Sequence, residues 1–413
     1  MSGGNFVTVV LLGRFAGVEQ LGIFALLFSV VVLLTTGQSA MVATPYTVLR
    51  RHRDAEHDAR FAGSVLVQSV AIGAMGLLLA LLAALLLGLT GNANWAAVAA
   101  LALVLPAGLF RDALRRLLFA WLRFGSVLFV DVLAVTFRIV ALVVLTYCGR
   151  LDAASAILAW GAAEVVAAFG KLVFVRGRWS LRLNDLRTDF AECFAFGRWS
   201  LLAQGLYTAQ VYGAQWMLAA MKGPVWVGWY AACAQLAQLI MPLITGVGNA
   251  LVPVMSHRLR SGGREALVPV LRLSTVGLVT GTAAYALALA LAAGWLLALL
   301  FGDSFAEHST VAGWLALAVT LTAGGVAAAK GITTLERPGF NATINAITLP
   351  ASLCFIGLGT AAMGLAGAAG GVVLGAALTL ALRWCFFAVA WRDSASAEAF
   401  FVAPVGMEGT PTR

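Results

Sequence analysis

Charged residues are scarce in this chain. Only 11 % of the 413 residues are charged, whereas 61 % are hydrophobic, and the mean hydropathy is +0.93. A soluble protein of this length needs much more polar surface, so the composition excludes a soluble multi-domain protein. The sequence therefore predicts an all-α polytopic membrane protein whose residues contact lipid or lipid-embedded neighbours.

The side chains that build catalytic and metal sites are also few. The five cysteines show no CxxC spacing, and the four histidines fall in loops or at helix ends without a nucleophile–base arrangement. We therefore expect no enzyme activity, no catalytic residues, no metal site and no cofactor. The net charge of +9 is dispersed over the loops without a continuous basic surface, so we also expect no nucleic acid partner.

Long apolar runs are abundant instead. A helix needs about 20 apolar residues to cross the hydrocarbon core of a bilayer. Residues 21–49, 223–257 and 273–302 contain no charge, and the uncharged run 61–110 is divided into two crossings at Thr90–Asn94. With the N-terminal stretch, about twelve transmembrane helices result, the others lying near 124–148, 153–175, 193–221, 309–330, 339–361 and 364–391.

Arginine is distributed unevenly between alternate loops. Short cytoplasmic loops of membrane proteins retain Lys and Arg. One set of loops is rich in arginine, and the alternate set holds little or none; the rich loops lie at 50–60, 111–123, 176–187 and 258–264. This pattern places these loops and both chain ends in the cytoplasm. It predicts a multi-pass membrane protein with its arginine-rich loops in the cytoplasm.

The first predicted helix is short. The residues before Arg14 carry no charge, but as a helix they extend only about 20 Å. Two explanations are open. Either the helix is short and tilted with Arg14 extending outward, or the start codon lies downstream of the true one and the first helix is truncated. We favour truncation.

A short motif occurs twice. Gly17–Ala25 and Gly223–Ala231 share the same spacing of two glycines, then a bulky pair and an alanine, and each opens a long apolar helix. About six helices then fall in each half with the same orientation, as in transporters built from parallel repeats. We predict two six-helix bundles, at residues 1–175 and 190–392. A cytoplasmic linker at residues 176–189 joins them, and a cytoplasmic tail follows at residues 393–413.

Several short segments together carry a family resemblance: 5–6, 11–15, 17–25, 196–199, 228–231, 251–256 and 300–305. On these segments the chain resembles the polysaccharide flippases, the O-antigen and exopolysaccharide exporter group of the multidrug/oligosaccharidyl-lipid/polysaccharide exporter superfamily. The resemblance implies two bundles around a central cavity, which move a polyprenyl-phosphate-linked oligosaccharide across the membrane by alternating access. The partners it implies are the lipid-linked saccharide, membrane lipid, and polysaccharide polymerase or glycosyltransferases.

Polar stripes on two helices are candidate cavity walls. Sugars and phosphates need a polar path, because an unpaired polar group in hydrocarbon costs several kcal/mol. Amides and hydroxyls donate to and accept from sugar hydroxyls, so we predict that these side chains bind substrate. The alternative is interhelical hydrogen bonding that stabilises the bundle. The candidates are Gln204, Thr208 and Gln215 on one helix, and Gln235, Gln238, Thr245 and Asn249 on the next.

Charges inside the predicted spans are the remaining candidates. Arg138 is a candidate phosphate ligand, because guanidinium binds phosphate oxygens in a bidentate manner and stays charged; the alternative is a structural ion pair, with Glu164 as a candidate partner. Arg383, nearer the cytoplasmic surface, either binds the headgroup or extends toward the interface. Intramembrane carboxylates relay ions in other transporters, so Asp131 and Glu164 are candidates for ion coupling.

Two other functions stay open. A cation-coupled multidrug exporter of the same superfamily would use a carboxylate-rich cavity, whereas here the intramembrane cations are at least as numerous as the anions. A non-transporting membrane scaffold of a polysaccharide synthesis complex is only weakly disfavoured by the polar stripes.

Overall fold

The chain folds into long helices joined by short turns. The computed structural model describes residues 2–49, 55–180, 185–337 and 339–402, and the regular structure within these ranges is entirely helical. Nine helical stretches of the described chain are long and apolar enough to cross a membrane. The predicted all-α membrane fold is therefore confirmed.

Twelve helices are numbered here in chain order within the described ranges. They are α1 Gly3–Ala16, α2 Val18–Leu49, α3 Ala55–Leu89, α4 Trp95–Ala120, α5 Phe124–Tyr147, α6 Ala153–Val175, α7 Leu186–Lys222, α8 Pro224–Gly262, α9 Leu267–Phe301, α10 Ser309–Thr334, α11 339–363 and α12 365–402. The last two form one continuous helical run that is interrupted by non-helical dihedral angles at Gly364.

The repeated motif begins each time at a sharp turn. Gly17 joins α1 to α2 with φ of 91°, and Gly223 joins α7 to α8 with φ of 93°. Residues with a Cβ rarely adopt a backbone conformation with this positive φ, so glycine is needed at both turns. The two copies of the motif thus share a local geometry as well as a residue pattern.

Most predicted helix bounds lie within about six residues of the observed ones, and three differ by more. The turn at Thr90–Asn94 separates α3 from α4 as predicted. However, α4 continues to Ala120, so three arginines that were assigned to a loop lie on a helix: Arg111, Arg115 and Arg116. In addition, α7 already begins at Leu186, and α12 continues to Val402, into the predicted tail.

A buried contact explains the early start of α7. The hydroxyl of Ser64 on α3 donates a hydrogen bond to Asp189 Oδ2 at 2.5 Å, and Asp189 is buried. This contact holds the first turn of α7 against α3. Three predicted segments lie outside the described residues: the arginines at 50–53, residues 181–184 of the linker and residues 403–413 of the tail. The residue bounds of the two bundles stay a prediction.

The helix contacts place a central space between two groups of helices. In the first half, α4 packs against α3 and α6, and α5 packs against α1 and α6. In the second half, α10 packs against α9 and the run formed by α11 and α12, and that run packs against α7. Between the groups, α2 contacts α7 and α8. The polar faces of α7 and α8 therefore lie where the two groups meet.

Candidate functional site

Two adjoining cavities occupy the centre of the molecule. The first, of ≈ 660 Å³, lies among α1, α2, α7 and α8, and is called here the amide cavity because Asn5, Gln215, Gln235, Gln238 and Asn249 line it. The second, of ≈ 440 Å³, is called the arginine cavity, because it is lined by Arg383 of α12 beside residues of α7, α8, α10 and α11. Tyr212, Tyr230 and Gln238 line both cavities, so the two adjoin.

The polar residues that the sequence singled out all lie on these walls. Gln215, Gln235, Gln238, Thr245 and Asn249 line the amide cavity, and Gln204 and Thr208 line the arginine cavity. Gln215 Oε1 is buried and accepts no hydrogen bond from any residue that the structure describes. Thr208 Oγ1 instead donates to the carbonyl oxygen of Gln204 at 2.9 Å. The structure thus brings the two polar stripes together, while substrate binding by them stays a prediction.

Arg383 is the one charged residue among the described lining residues of either cavity. It forms no ion pair or hydrogen bond with a described residue. Its side chain passes the bare backbone of Gly325, where a Cβ would lie 2.9 Å from Arg383 Cδ. Nearby, Gln210 Nε2 donates to Thr379 Oγ1 at 3.2 Å. The arginine cavity therefore carries an uncompensated positive charge among neutral donors and acceptors.

Arg138 lies behind the wall of the amide cavity and does not line it. The side chain is buried, and its Nη1 donates to Asn5 Oδ1 at 2.9 Å, while its Nε has no hydrogen-bond partner in the described part of the chain. The guanidinium also packs on Gly4, where a Cβ would lie 2.2 Å from Arg138 Nη2. Because Asn5 does line the cavity, Arg138 reaches the cavity surface through Asn5. Sequence reasoning did not single out Asn5 as a site residue, since one asparagine on a short helix has no periodic signal.

The two carboxylates of the first half belong to a buried ionic cluster. Glu164 on α6 pairs with both Nε and Nη2 of Arg111 on α4 and not with Arg138. Asp131 on α5 accepts from Arg115 Nε at 2.9 Å and from Lys171 Nζ at 2.5 Å.

These pairs neutralise both candidate ion-coupling carboxylates and tie α4, α5 and α6 together. Glu164 is 3 % exposed and Arg111 is 4 % exposed, so this pair is sealed from solvent. The side chains of Asp131 and Arg115 are 13 % and 29 % exposed, so their pair is only partly buried. The sequence missed the roles of Arg111 and Lys171 because Arg111 was assigned to a loop and Lys171 to the inner end of a helix. A four-residue spacing of Arg111 and Arg115 beside an apolar run was the available signal, since it predicts one more turn of helix.

A family model described as a polysaccharide biosynthesis protein matches residues 3–258. The chain belongs to this family. No curated protein matches the chain. This member of the polysaccharide biosynthesis family is also similar in structure to solved transporters.

An inward-facing multidrug resistance MATE family transporter of the MOP superfamily aligns with a TM-score of 0.81 and 17 % identity over 96 % of this chain and 95 % of that one. An outward-facing structure of a transporter that is described in the same words aligns with a TM-score of 0.66 and 16 % identity, over 91 % of this chain and 88 % of that one. A MOP superfamily transporter from Pyrococcus furiosus aligns with a TM-score of 0.69 and 14 % identity, over 95 % of this chain and 92 % of that one. At these identities the likeness shows a shared fold. This polysaccharide biosynthesis protein therefore has the fold of solved membrane transporters.

Proposed function

We propose that this protein is a transporter that flips a polyprenyl-phosphate-linked oligosaccharide across the bacterial cytoplasmic membrane for polysaccharide biosynthesis and export, by alternating access. The observation that carries the proposal is the lining of the two central cavities. Amides and hydroxyls line both, Arg383 is the one charge, and no Asp or Glu is present among the described lining residues. Such a lining suits a substrate that has many hydroxyls and an anionic phosphate.

The two cavities divide the substrate between them. Amide side chains in the amide cavity can each donate to and accept from sugar hydroxyls, so this cavity takes the saccharide. Arg383 in the arginine cavity pairs with the phosphate, assisted by Tyr207 and Gln210 on the same wall. Cavities that bind small ligands measure roughly 300–1,000 Å³, which both of these satisfy.

The charged candidates of the first half have no direct contact with the substrate in this arrangement. Arg138 holds Asn5 on the wall of the amide cavity and meets a phosphate directly only when Asn5 moves aside. Asp131 and Glu164 serve a coupling ion only when Lys171 and Arg111 release them. In this proposal the arginine-rich loops and both termini face the cytoplasm, and polymerase or glycosyltransferases act on either side of the transport step.

A multidrug exporter is the second candidate, because the fold is shared with MATE transporters. Cationic drugs need anionic partners in a low-dielectric cavity, and neither cavity offers a carboxylate among its described residues. The Pyrococcus furiosus transporter is described as having a binding pocket of reverse polarity that suggests a different function. In this chain, the polarity of the two cavities favours an anionic substrate.

Export measured in a deletion strain tests the proposal. Cells that lack the gene should accumulate radiolabelled lipid-linked saccharide in the cytoplasmic leaflet, and the wild-type gene should clear it. Arg383→Gln should lower export about tenfold or more at normal membrane abundance, because a charge-assisted hydrogen bond contributes about 1.5–3 kcal/mol. Arg383→Lys should restore part of the activity, since the charge returns without the planar geometry.

Arg258→Gln is the matched control, because Arg258 is exposed and lies on neither cavity wall. Full export by Arg383→Gln would contradict the assignment of the phosphate site. A deletion strain that clears the saccharide normally but becomes sensitive to cationic drugs would replace the proposal with the exporter.

A further inference from the structure

A separate groove lies between the beginning of α9 and the end of α12, away from the central cavities. It measures ≈ 510 Å³ and is called here the α9–α12 groove. Its apolar wall consists of Val268, Leu271, Trp384, Phe387 and Trp391, with Ala388 beside them, and Arg272 and Arg392 flank it. None of these residues lines either central cavity.

Three aromatic rings form a fixed floor in this groove. Phe387 is buried, and its ring centroid lies 5.7 Å from those of both Trp384 and Trp391. Trp384 Nε1 donates to the carbonyl oxygen of Gly324 at 3.1 Å. Arg264 Nη1 donates to the carbonyl oxygen of Trp391 at 2.8 Å, and its guanidinium faces the ring of Trp391. Because the indoles are anchored from two sides, the groove is preformed.

The rim of the groove is cationic. Arg272 and Arg392 are both exposed, and the described lining contains no Asp or Glu. Arg272 makes no ion pair or hydrogen bond with a described residue. Guanidinium groups bind phosphate oxygens in a bidentate manner. An apolar floor beneath two guanidiniums is therefore complementary to an amphiphile that has a phosphate head and a hydrocarbon chain.

The position of the groove favours a membrane lipid. Leu267–Phe301 and Gly339–Arg392 are candidate membrane spans, and the groove lies where the first begins and the second ends. Tryptophan concentrates at membrane interfaces, and basic pockets between helices on the cytoplasmic side hold anionic headgroups. We propose that the α9–α12 groove binds an anionic phospholipid of the cytoplasmic leaflet, with its phosphate between Arg272 and Arg392. This site does not depend on what the central cavities carry.

Native mass spectrometry of the purified full-length protein tests the site, with phosphatidylglycerol and phosphatidylcholine as probes. The wild type should retain phosphatidylglycerol at least about tenfold more tightly than phosphatidylcholine. Arg272→Gln with Arg392→Gln should weaken phosphatidylglycerol binding roughly thirty-fold, because each basic residue near an anionic lipid contributes about 1 kcal/mol. Arg258→Gln with Arg260→Gln is the matched control: both arginines are exposed, lie outside the groove, and leave binding unchanged.

A second variant tests the apolar wall of the α9–α12 groove. It also keeps the proposal testable if the double arginine variant does not fold. Ala388 is exposed in the groove, so Ala388→Trp fills it without removing a charge and should also displace the lipid. Equal retention of both lipids by the wild type, or unchanged phosphatidylglycerol binding in Ala388→Trp, would overturn the proposal. Displacement of phosphatidylglycerol by an equal concentration of polyprenyl phosphate would also overturn it, by assigning the groove to the lipid of the substrate.

Discussion

Gly22 and Gly228 occupy matching positions in the two copies of the repeated motif, and each packs against the other copy. A Cβ on Gly22 would lie 1.9 Å from the carbonyl oxygen of Pro224, and a Cβ on Gly228 would lie 2.0 Å from the carbonyl oxygen of Val18. Val18 and Pro224 also match in the two copies. The contact is therefore reciprocal, and it brings the backbones of α2 and α8 together where both helices begin.

This contact should close one end of the central cavities. Gly22→Ala places a methyl group where the carbonyl oxygen of Pro224 now lies, so α2 and α8 must separate. The predicted topology puts this end on the outer side. We therefore expect that a cysteine at Thr245, in the wall of the amide cavity, reacts roughly tenfold faster with a membrane-impermeant thiol reagent in intact cells, since such overlaps cost about 1–3 kcal/mol.

Gly37→Ala on the same helix is the control for this prediction. A Cβ at Gly37 would lie 3.5 Å from Leu201 Cδ1, which is ordinary van der Waals contact. Reactivity should then match that of the parent protein. If Gly22→Ala leaves both abundance and reactivity unchanged, the glycine contact does not hold the cavities closed.

The link between Arg138 and Asn5 predicts non-additive losses of export. Arg138→Ala should leave only a small, measurable fraction of export at normal membrane abundance, and Arg138→Lys should restore part of the loss. Asn5→Ala should lower export as well, because Arg138 reaches the amide cavity through the Asn5 side chain. The double variant should be no worse than Arg138→Ala, since residues in one hydrogen-bonded unit are strongly coupled. Losses that multiply in the double variant would instead indicate that each side chain meets substrate independently.

The pair of Arg111 and Glu164 predicts a loss of stability. Arg111→Leu leaves a buried carboxylate unpaired, which costs about 3–5 kcal/mol, so the amount of folded protein in the membrane should fall. Arg111→Leu combined with Glu164→Leu should recover it, because the buried charge is removed. Thermal unfolding of the purified protein measures both effects.

Arg116→Leu is the comparison for that pair. Arg116 pairs with Asp112 one turn away on the same helix and its side chain is 38 % exposed, so the expected change is about 0.5 kcal/mol or less. If Arg111→Leu unfolds at the wild-type temperature, the pair contributes nothing to the fold. If the double variant is no more stable than the single one, the loss comes from packing.

The orientation predicted from the arginine distribution is tested by cysteine accessibility. In a background without native cysteines, a cysteine at Arg260 should resist an impermeant thiol reagent in intact cells, whereas one at Asn92 should react. Both positions are exposed, so burial does not explain a difference between them. The opposite result would reverse the topology and move the α9–α12 groove to the outer leaflet.

The sequence by itself determined the helices and the polar wall of the cavities. Apolar length and helical periodicity are local properties, so the turn at Thr90–Asn94 and the stripe of Gln235, Gln238 and Asn249 could be derived from the residues alone. Because polar groups avoid lipid, the stripe predicted that these side chains line a cavity. The stripe did not specify which other helices form the walls of that cavity.

Only the tertiary structure decided which charges meet. Arg138 lies opposite Asn5 and not Glu164, because α5 packs on α1 while α6 turns Glu164 toward Arg111 of α4. Arg383 was one of two candidate cations, and the packing of α12 against α7 and α10 made it the charged residue on the cavity wall. Pairing between helices that are distant in sequence depends on how each helix is rotated and which helices it contacts. Neither property is encoded in the periodicity of a single segment.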